Sequence, residues 1–220
     1  MPTTTVNFVR HGEVFNPRHV LYERLPGFHL SDHGKEMVQA SASFIAHNEG
    51  MRAATALYSS PLDRTRETAE IIEATVDPVR EALGLQDFQI TFDPRLIEAG
   101  NEFRGTRIGY GKGALWRRKN IVLLRNLRRP SWGETYQQIA ARVKDFTFEK
   151  VQEHPGQQII VVSHESPIWT FRHLMETGHP EHNMLRRNTD LASITSLEFD
   201  SDTCALIKVS YVSPAAGMIR

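Results

Sequence analysis

Gln158-Ile159-Ile160-Val161-Val162-Ser163-His164 places four β-branched aliphatic residues in a row and ends on an imidazole. A strand wet on one face alternates apolar and polar residues. A run apolar towards both faces belongs in the middle of a parallel sheet covered by helices on each side. Working outward, Ser166-Pro167 after this run reads as a cap and first-turn proline opening a helix with Ile168, Phe171, Leu174 and Met175 on one face. Before it, Tyr136, Ile139, Ala140, Val143 and Phe146 recur at helical spacing from Glu134 onward.

The same strand-then-helix unit appears earlier. Val6, Phe8 and Val9 mark a strand over residues 4–10 that runs into Arg10-His11-Gly12. Residues 16–30 carry two prolines and no period, so they are read as loop. Ser31 can cap a helix with Met37, Ala40, Ser41, Phe44 and Ile45 on one stripe. A short strand at residues 54–58 leads to Ser59-Ser60-Pro61, where Ser60 is the expected cap and Pro61 the first helical residue. Phe88, Ile90 and Phe92 alternate as a third strand ahead of Pro94 and Leu96-Ile97-Glu98. Residues 192–199 and 203–212 read as a hairpin turning at Asp200-Ser201-Asp202.

The alternation predicts an α/β fold: a three-layer α/β/α sandwich, mostly parallel, with helices on both faces of the sheet. Residues 1–220 are read as one domain, interrupted at about 99–132 by an inserted cap segment rich in glycine and in basic residues such as Arg104, Lys112, Arg117, Arg118 and Arg129. The basic series is read first as a solvated face; as a cap over the pocket the segment can also draw anionic substrates in and screen the reaction from water.

Composition sets the outer limits. At 220 residues, with 40% hydrophobic and 24% charged, the chain is long enough to bury a core without disulfides or metal. The 26 Lys and Arg balance 26 Asp and Glu, which argues against a general nucleic-acid binder. Aliphatic runs stop at four residues, far short of the roughly 18 a membrane span needs. Cys204 is the single cysteine, and residues 1–10 lack the features of a secretory leader, so a cytoplasmic location is expected.

In a mostly parallel sheet, ligands bind beyond the carboxyl ends of the strands. That rule gathers Arg10, His11, Ser59, Ser60, Glu98 and His164 at one edge, although they are far apart in the chain. Their chemistry is complementary. A neutral imidazole is a competent nucleophile towards phosphorus. Phosphoryl transfer otherwise needs in-line positioning and cations about the equatorial oxygens, which arginine forks supply. Arg10 and Arg64 are two such forks, His164 adds a second imidazole, and Glu98 is placed to donate a proton to a leaving alkoxide.

Val9-Arg10-His11-Gly12-Glu13, with Ser59-Ser60-Pro61-Leu62-Asp63-Arg64-Thr65, Leu96-Ile97-Glu98 and Val162-Ser163-His164, resembles the motif set of the histidine phosphatase superfamily, the phosphoglycerate mutase-like family. Residues 30–34 and Gly133-Glu134-Thr135 match two weaker landmarks, so the resemblance spans residues 4 to about 175. It implies that His11 is phosphorylated and that Arg10, Arg64 and His164 hold the phosphoryl group. It also implies that Glu98 protonates the leaving oxygen and then activates water, that Asn16 lines the pocket, and that no metal or organic cofactor takes part. Where the family has a glycine four residues after its acid, this chain has Glu102, which leaves Glu102 and Glu13 as rivals of Glu98. Where it often has Gly-Gly after the second histidine, this chain has Glu165-Ser166, and the extra carboxylate disfavours some anionic substrates.

The expected activity is hydrolysis of small soluble phosphorylated metabolites, with cofactor-primed phosphoglycerate mutase as the alternative and a non-catalytic phosphate binder as a third reading. Trp116-Arg117-Arg118 resembles a substrate-gripping stretch of the mutases, and Arg24-Leu25 stands where they carry Gly-Trp; Arg24 and Arg117 therefore join the candidate substrate cations. The pairs His29/His33 and His179/His182 lack the third ligand a zinc site needs. Trp116, Trp132 and Trp169 are read as packing residues, and oligomeric state is left open.

Overall fold

A computed structural model describes residues 2–107, 133–183 and 186–219. Most of the expected insertion, residues 108–132 with Arg117, Trp116 and Trp132, lies outside the described residues. In chain order the described elements are β1 (Thr3–Arg10), α1 (Asp32–His47), the short α2 (Glu49–Arg52), β2 (Ala56–Ser59), α3 (Asp63–Ala82), β3 (Ile90–Phe92), α4 (Tyr136–Glu153), β4 (Gln158–Ser163), α5 (Glu165–Thr177), β5 (Ile194–Asp200) and β6 (Leu206–Val212).

The strands form one sheet in the order β3-β2-β4-β1-β5-β6. The first four are mutually parallel, while β5 runs antiparallel to β1 and β6 antiparallel to β5. The run at 159–162 is fully buried between β2 and β1. Its residues divide by the period of two. Ile160 and Val162 join Val9, Leu57 and Ile194 under α1 and α3, while Ile159 and Val161 join Phe8, Leu197 and Phe199 under α4 and α5. Each such side chain contributes roughly 1.5–3 kcal/mol by leaving water. Two cores with a sheet between them make the three-layer sandwich. The terminal hairpin turns at Asp200, whose carboxylate accepts from the amides of Asp202 (3.1 Å) and Thr203 (2.8 Å).

Two helix starts differ from expectation. Ser31 does cap α1, accepting from the Gly34 amide at 2.9 Å. Ser60, however, caps nothing: α3 begins at Asp63 after Leu62, and Pro61 lies outside the helix. The Ser60 hydroxyl is instead taken by the His164 ring. Likewise α5 begins at Glu165 after His164, which puts Ser166 and Pro167 inside the first turn. The proline costs nothing there because first-turn amides have no partner within the helix. The third strand is also shorter than expected. Phe88 stays outside it, buried beneath the Arg80 guanidinium at 3.9 Å.

The approach of α1 to the chain after His11 demands glycine on both sides. A Cβ on Gly12 would sit 2.3 Å from the Gly34 carbonyl oxygen, and one on Gly34 only 2.0 Å from that of Glu13. Gly34→Ala should therefore cost at least about 1–3 kcal/mol as overpacking, read as a Tm lowered by several degrees with turnover falling as well. An unchanged melting curve would show that the loop gives way freely.

Candidate active site

The two imidazoles stand at the ends of neighbouring parallel strands. Arg10 pairs with Ser163 in the β1–β4 register. One residue on, the His11 amide donates to the Ser163 carbonyl at 3.2 Å, and the His11 carbonyl accepts from Ala192 at 3.2 Å. The His11 ring is 2% exposed, and His164, the residue before α5, is fully buried; the ring centroids are 5.2 Å apart. Nδ1 of His11 lies 2.7 Å from the Gly12 carbonyl, which can only accept. The proton is therefore on Nδ1, and Nε2 presents a lone pair.

Arg64, in the first turn of α3 and 1% exposed, points Nε at that lone pair from 3.3 Å and donates Nη2 to the Glu23 carbonyl at 2.6 Å. Its guanidinium lies over the Tyr22 ring at 4.9 Å. Both of these hydrogen-bond acceptors are neutral. A cation buried this completely calls for an anion beside it. Burial first, then the charges of Arg64 and Arg10, holds His11 well below the ordinary 6.5, so its neutral form persists into acid. His164 is lowered well below that value too, by burial and then by Arg64 and His11. Its Nε2 is 2.8 Å from Ser60 Oγ, while its Nδ1 is buried with no partner.

Arg10 donates Nη1 to the Thr189 carbonyl and reaches Glu165 Oε2 from Nη2 at 2.9 Å; its Nε is buried and unpartnered. Glu98 follows a 3₁₀ turn (Pro94–Leu96) that is tied to β4 by Ser163 Oγ donating to the Leu96 carbonyl at 2.8 Å. Its Oε1 accepts from the Ala99 amide at 2.8 Å. Burial raises the Glu98 carboxyl above its ordinary 4.5, opposed by that amide and by Arg64. The protonated form is the one a general acid needs.

With these positions fixed, comparison with known proteins is direct. The family model described as histidine phosphatase superfamily (branch 1) matches residues 6–211. The chain belongs to that superfamily. It is 42% identical over 214 residues to the uncharacterized protein Rv0525 of Mycobacterium tuberculosis, covering 97% of this chain and 98% of that one. Among solved structures, mycobacterial glucosyl-3-phosphoglycerate phosphatase Rv2419c superposes with a TM-score of 0.72 at 18% identity, covering 96% of this chain and 99% of the other. Phosphoglycerate mutase from Bacillus anthracis gives 0.68 at 18% identity, covering 96% and 93%. At such identities the likeness is one of fold alone, and the fold carries both hydrolase and mutase.

The histidine phosphatase fold distributes the other candidate residues less evenly. Of the carboxylates considered for the acid, Glu102 is exposed and Glu13 accepts from Ser31 Oγ at 2.7 Å, whereas Glu98 feels Arg64 directly. Asn16 closes its own loop, bonded to Val20 at 2.8 and 3.2 Å, and lines a cavity of about 500 Å³ with Arg10 and Tyr22. Arg24 is held on the Glu98 carbonyl at 2.6 Å and on Glu134 at 2.8 Å. Among the described residues no three His, Cys, Asp or Glu side chains gather as a metal-holding group, and no helix is long and apolar enough to cross a membrane. Residues that sequence reasoning passed over are Tyr22, the Glu23 carbonyl and Arg187. None of the three carries a periodic signal, and within the loop at 16–30 the sequence singles out Asn16 and Arg24 instead.

Proposed function

We propose that this protein hydrolyses phosphomonoesters of small soluble metabolites through a phosphohistidine at Nε2 of His11. One observation carries the reading: His164 Nδ1, in the ring 5.2 Å from that of His11, and Nε of Arg10, the residue before His11, are both buried without partners. Buried donors in folded proteins are ordinarily satisfied. In the tautomer that takes the Ser60 hydroxyl as donor to His164 Nε2, the ring proton sits on Nδ1. Arg10, Arg64 and His164 then offer a tetrahedral anion three sources of N–H.

The chemistry follows in two displacements. His11 Nε2 attacks phosphorus, the ester P–O bond breaks, and Glu98 gives its proton to the departing oxygen. Glu98, now a carboxylate, takes a proton from water, whose oxygen attacks phosphorus as the P–N bond breaks. Each donor aimed at charge that develops on the equatorial oxygens is worth about 3–4 kcal/mol in such settings. Release of phosphate from an aryl phosphate without added metal tests the reading. Binding of phosphate with no turnover would overturn it, and interconversion of phosphoglycerates that needs a bisphosphate primer and outruns hydrolysis would favour the mutase.

The acid makes a sharper prediction. Burial raises its carboxyl above the ordinary 4.5, so kcat/KM for an alkyl phosphate should fall as pH rises through that raised pKa; an aryl phosphate, whose leaving group needs no proton, should lack this limb. Glu98→Gln should slow the alkyl ester by about 10²–10⁴-fold and the aryl ester far less, and should remove the alkaline limb. Equal losses on both esters would take the role of acid from Glu98.

A further inference from the structure

Glu165 is the one acidic side chain that salt-bridges an arginine of the phosphate-binding cluster among the described residues. As the first residue of α5 it directly follows His164. Its Oε2 is 2.9 Å from Arg10 Nη2 and its Oε1 3.5 Å from Arg187 Nη1. Its side chain is 32% exposed, while His11 and Arg64 are sealed, so it stands on the solvent side of the phosphate site. Its partner Arg10 lines the cavity of about 500 Å³ that Tyr22 also lines, and its charge reaches Tyr22 and Glu98, the acid of the reading above.

Arg187 is fixed in turn. Its Nε donates to Nε2 of His182 at 3.0 Å, and the other ring nitrogen, Nδ1, lies 3.0 Å from the Pro180 carbonyl. Burial lowers His182 to about 4, so the ring stays neutral and remains an acceptor at any ordinary pH. Arg187 is thus held with one arm towards Glu165. The charges then balance. Arg10, Arg64 and Arg187 carry three positive charges, Glu165 bridges two of them and removes one, and the two that remain match a phosphate dianion. No described cation in this cluster is left for a second anionic group on the substrate.

We propose that Glu165 sets the substrate class, favouring phosphomonoesters of uncharged, hydroxyl-bearing alcohols over those with a carboxylate or second phosphate near the ester. This rests on the hydrolase reading above. A hydroxyl of the alcohol donates to the Glu165 carboxylate, whereas a carboxylate in the same place meets like charge and leaves Glu165 without that donor.

Glycerol 3-phosphate and 3-phosphoglycerate form a matched pair, differing only by a hydroxymethyl against a carboxylate. Each is measured as a competitor of p-nitrophenyl phosphate turnover by the wild type, Glu165→Gln and Glu165→Asp. The wild type should bind glycerol phosphate about tenfold more tightly or better. Glu165→Gln, which keeps the shape and loses the charge, should erase most of that ratio; Glu165→Asp should keep it. A ratio unchanged in Glu165→Gln, or a wild type that prefers the phosphoglycerate, overturns the proposal. Should the wild type fail to turn over the aryl phosphate, the hydrolase reading falls separately, and calorimetric binding of the same two esters still reads the role of Glu165.

Discussion

A His11→Ala chain should carry no acid-labile phosphate after exposure to an aryl phosphate, and its kcat should fall by about 10⁴–10⁶-fold, the scale of losing a covalent nucleophile. The geometry leaves the first displacement no second route of equal quality. Among the described residues His164 is the only other imidazole in the cluster, and its Nε2 is engaged by Ser60. The substitution should not unfold the protein, because the backbone of residue 11 is held by Ser163 on one side and Ala192 on the other, and neither bond involves the ring. Melting curves of the two proteins supply that control. Phosphate label persisting on a folded His11→Ala chain would move the nucleophile elsewhere, with His164 the first place to look.

Arg64→Met should separate activity from stability. Loss of the fork should lower kcat/KM by about 10³-fold, within the range for removing a charged donor from a phosphoryl-transfer site. Arg64→Lys should rescue little, because a point charge cannot replace two parallel donors. Stability should move the other way. In the absence of an anion the wild type keeps a fully buried guanidinium on neutral acceptors, the His11 ring and the Glu23 carbonyl. An apolar side chain of similar length relieves that burden, so Tm should hold or rise. Inorganic phosphate should raise the Tm of the wild type by mass action and leave that of Arg64→Met nearly unmoved. Equal phosphate-induced shifts in the two proteins would remove Arg64 from the anion site.

The parts of this architecture legible in the sequence are those where one physical demand acts alone. The run at 159–162 must be apolar on both faces, and it lies at the sheet centre. The strand-end rule brought His11 and His164, remote in the chain, to a ring separation of 5.2 Å. Reading fails where two demands compete. Ser60 looks like a helix cap because serine before proline usually is one, yet a buried imidazole claims its hydroxyl and α3 starts without a side-chain cap. The loop at 16–30 hides its contribution for another reason. Arg64 rests on the carbonyl of Glu23, a residue in the left-handed region at φ 39, and a carbonyl leaves no mark in the sequence. The link from Glu165 to Arg187 joins a helix start to an irregular segment, and no periodicity announces such a pair.

Because the amide of residue 11 is hydrogen-bonded to the strand beside it, the reach between the His11 ring and the second imidazole is quantised by the sheet's own inter-strand repeat of about 4.8 Å. Rewriting the peripheral segments that meet the alcohol leaves that repeat untouched. On the proposed reading, retargeting to a new ester is thus an exercise in exchanging what surrounds the two rings while sparing the ladder, the Glu23 carbonyl under Arg64 and the turn before Glu98.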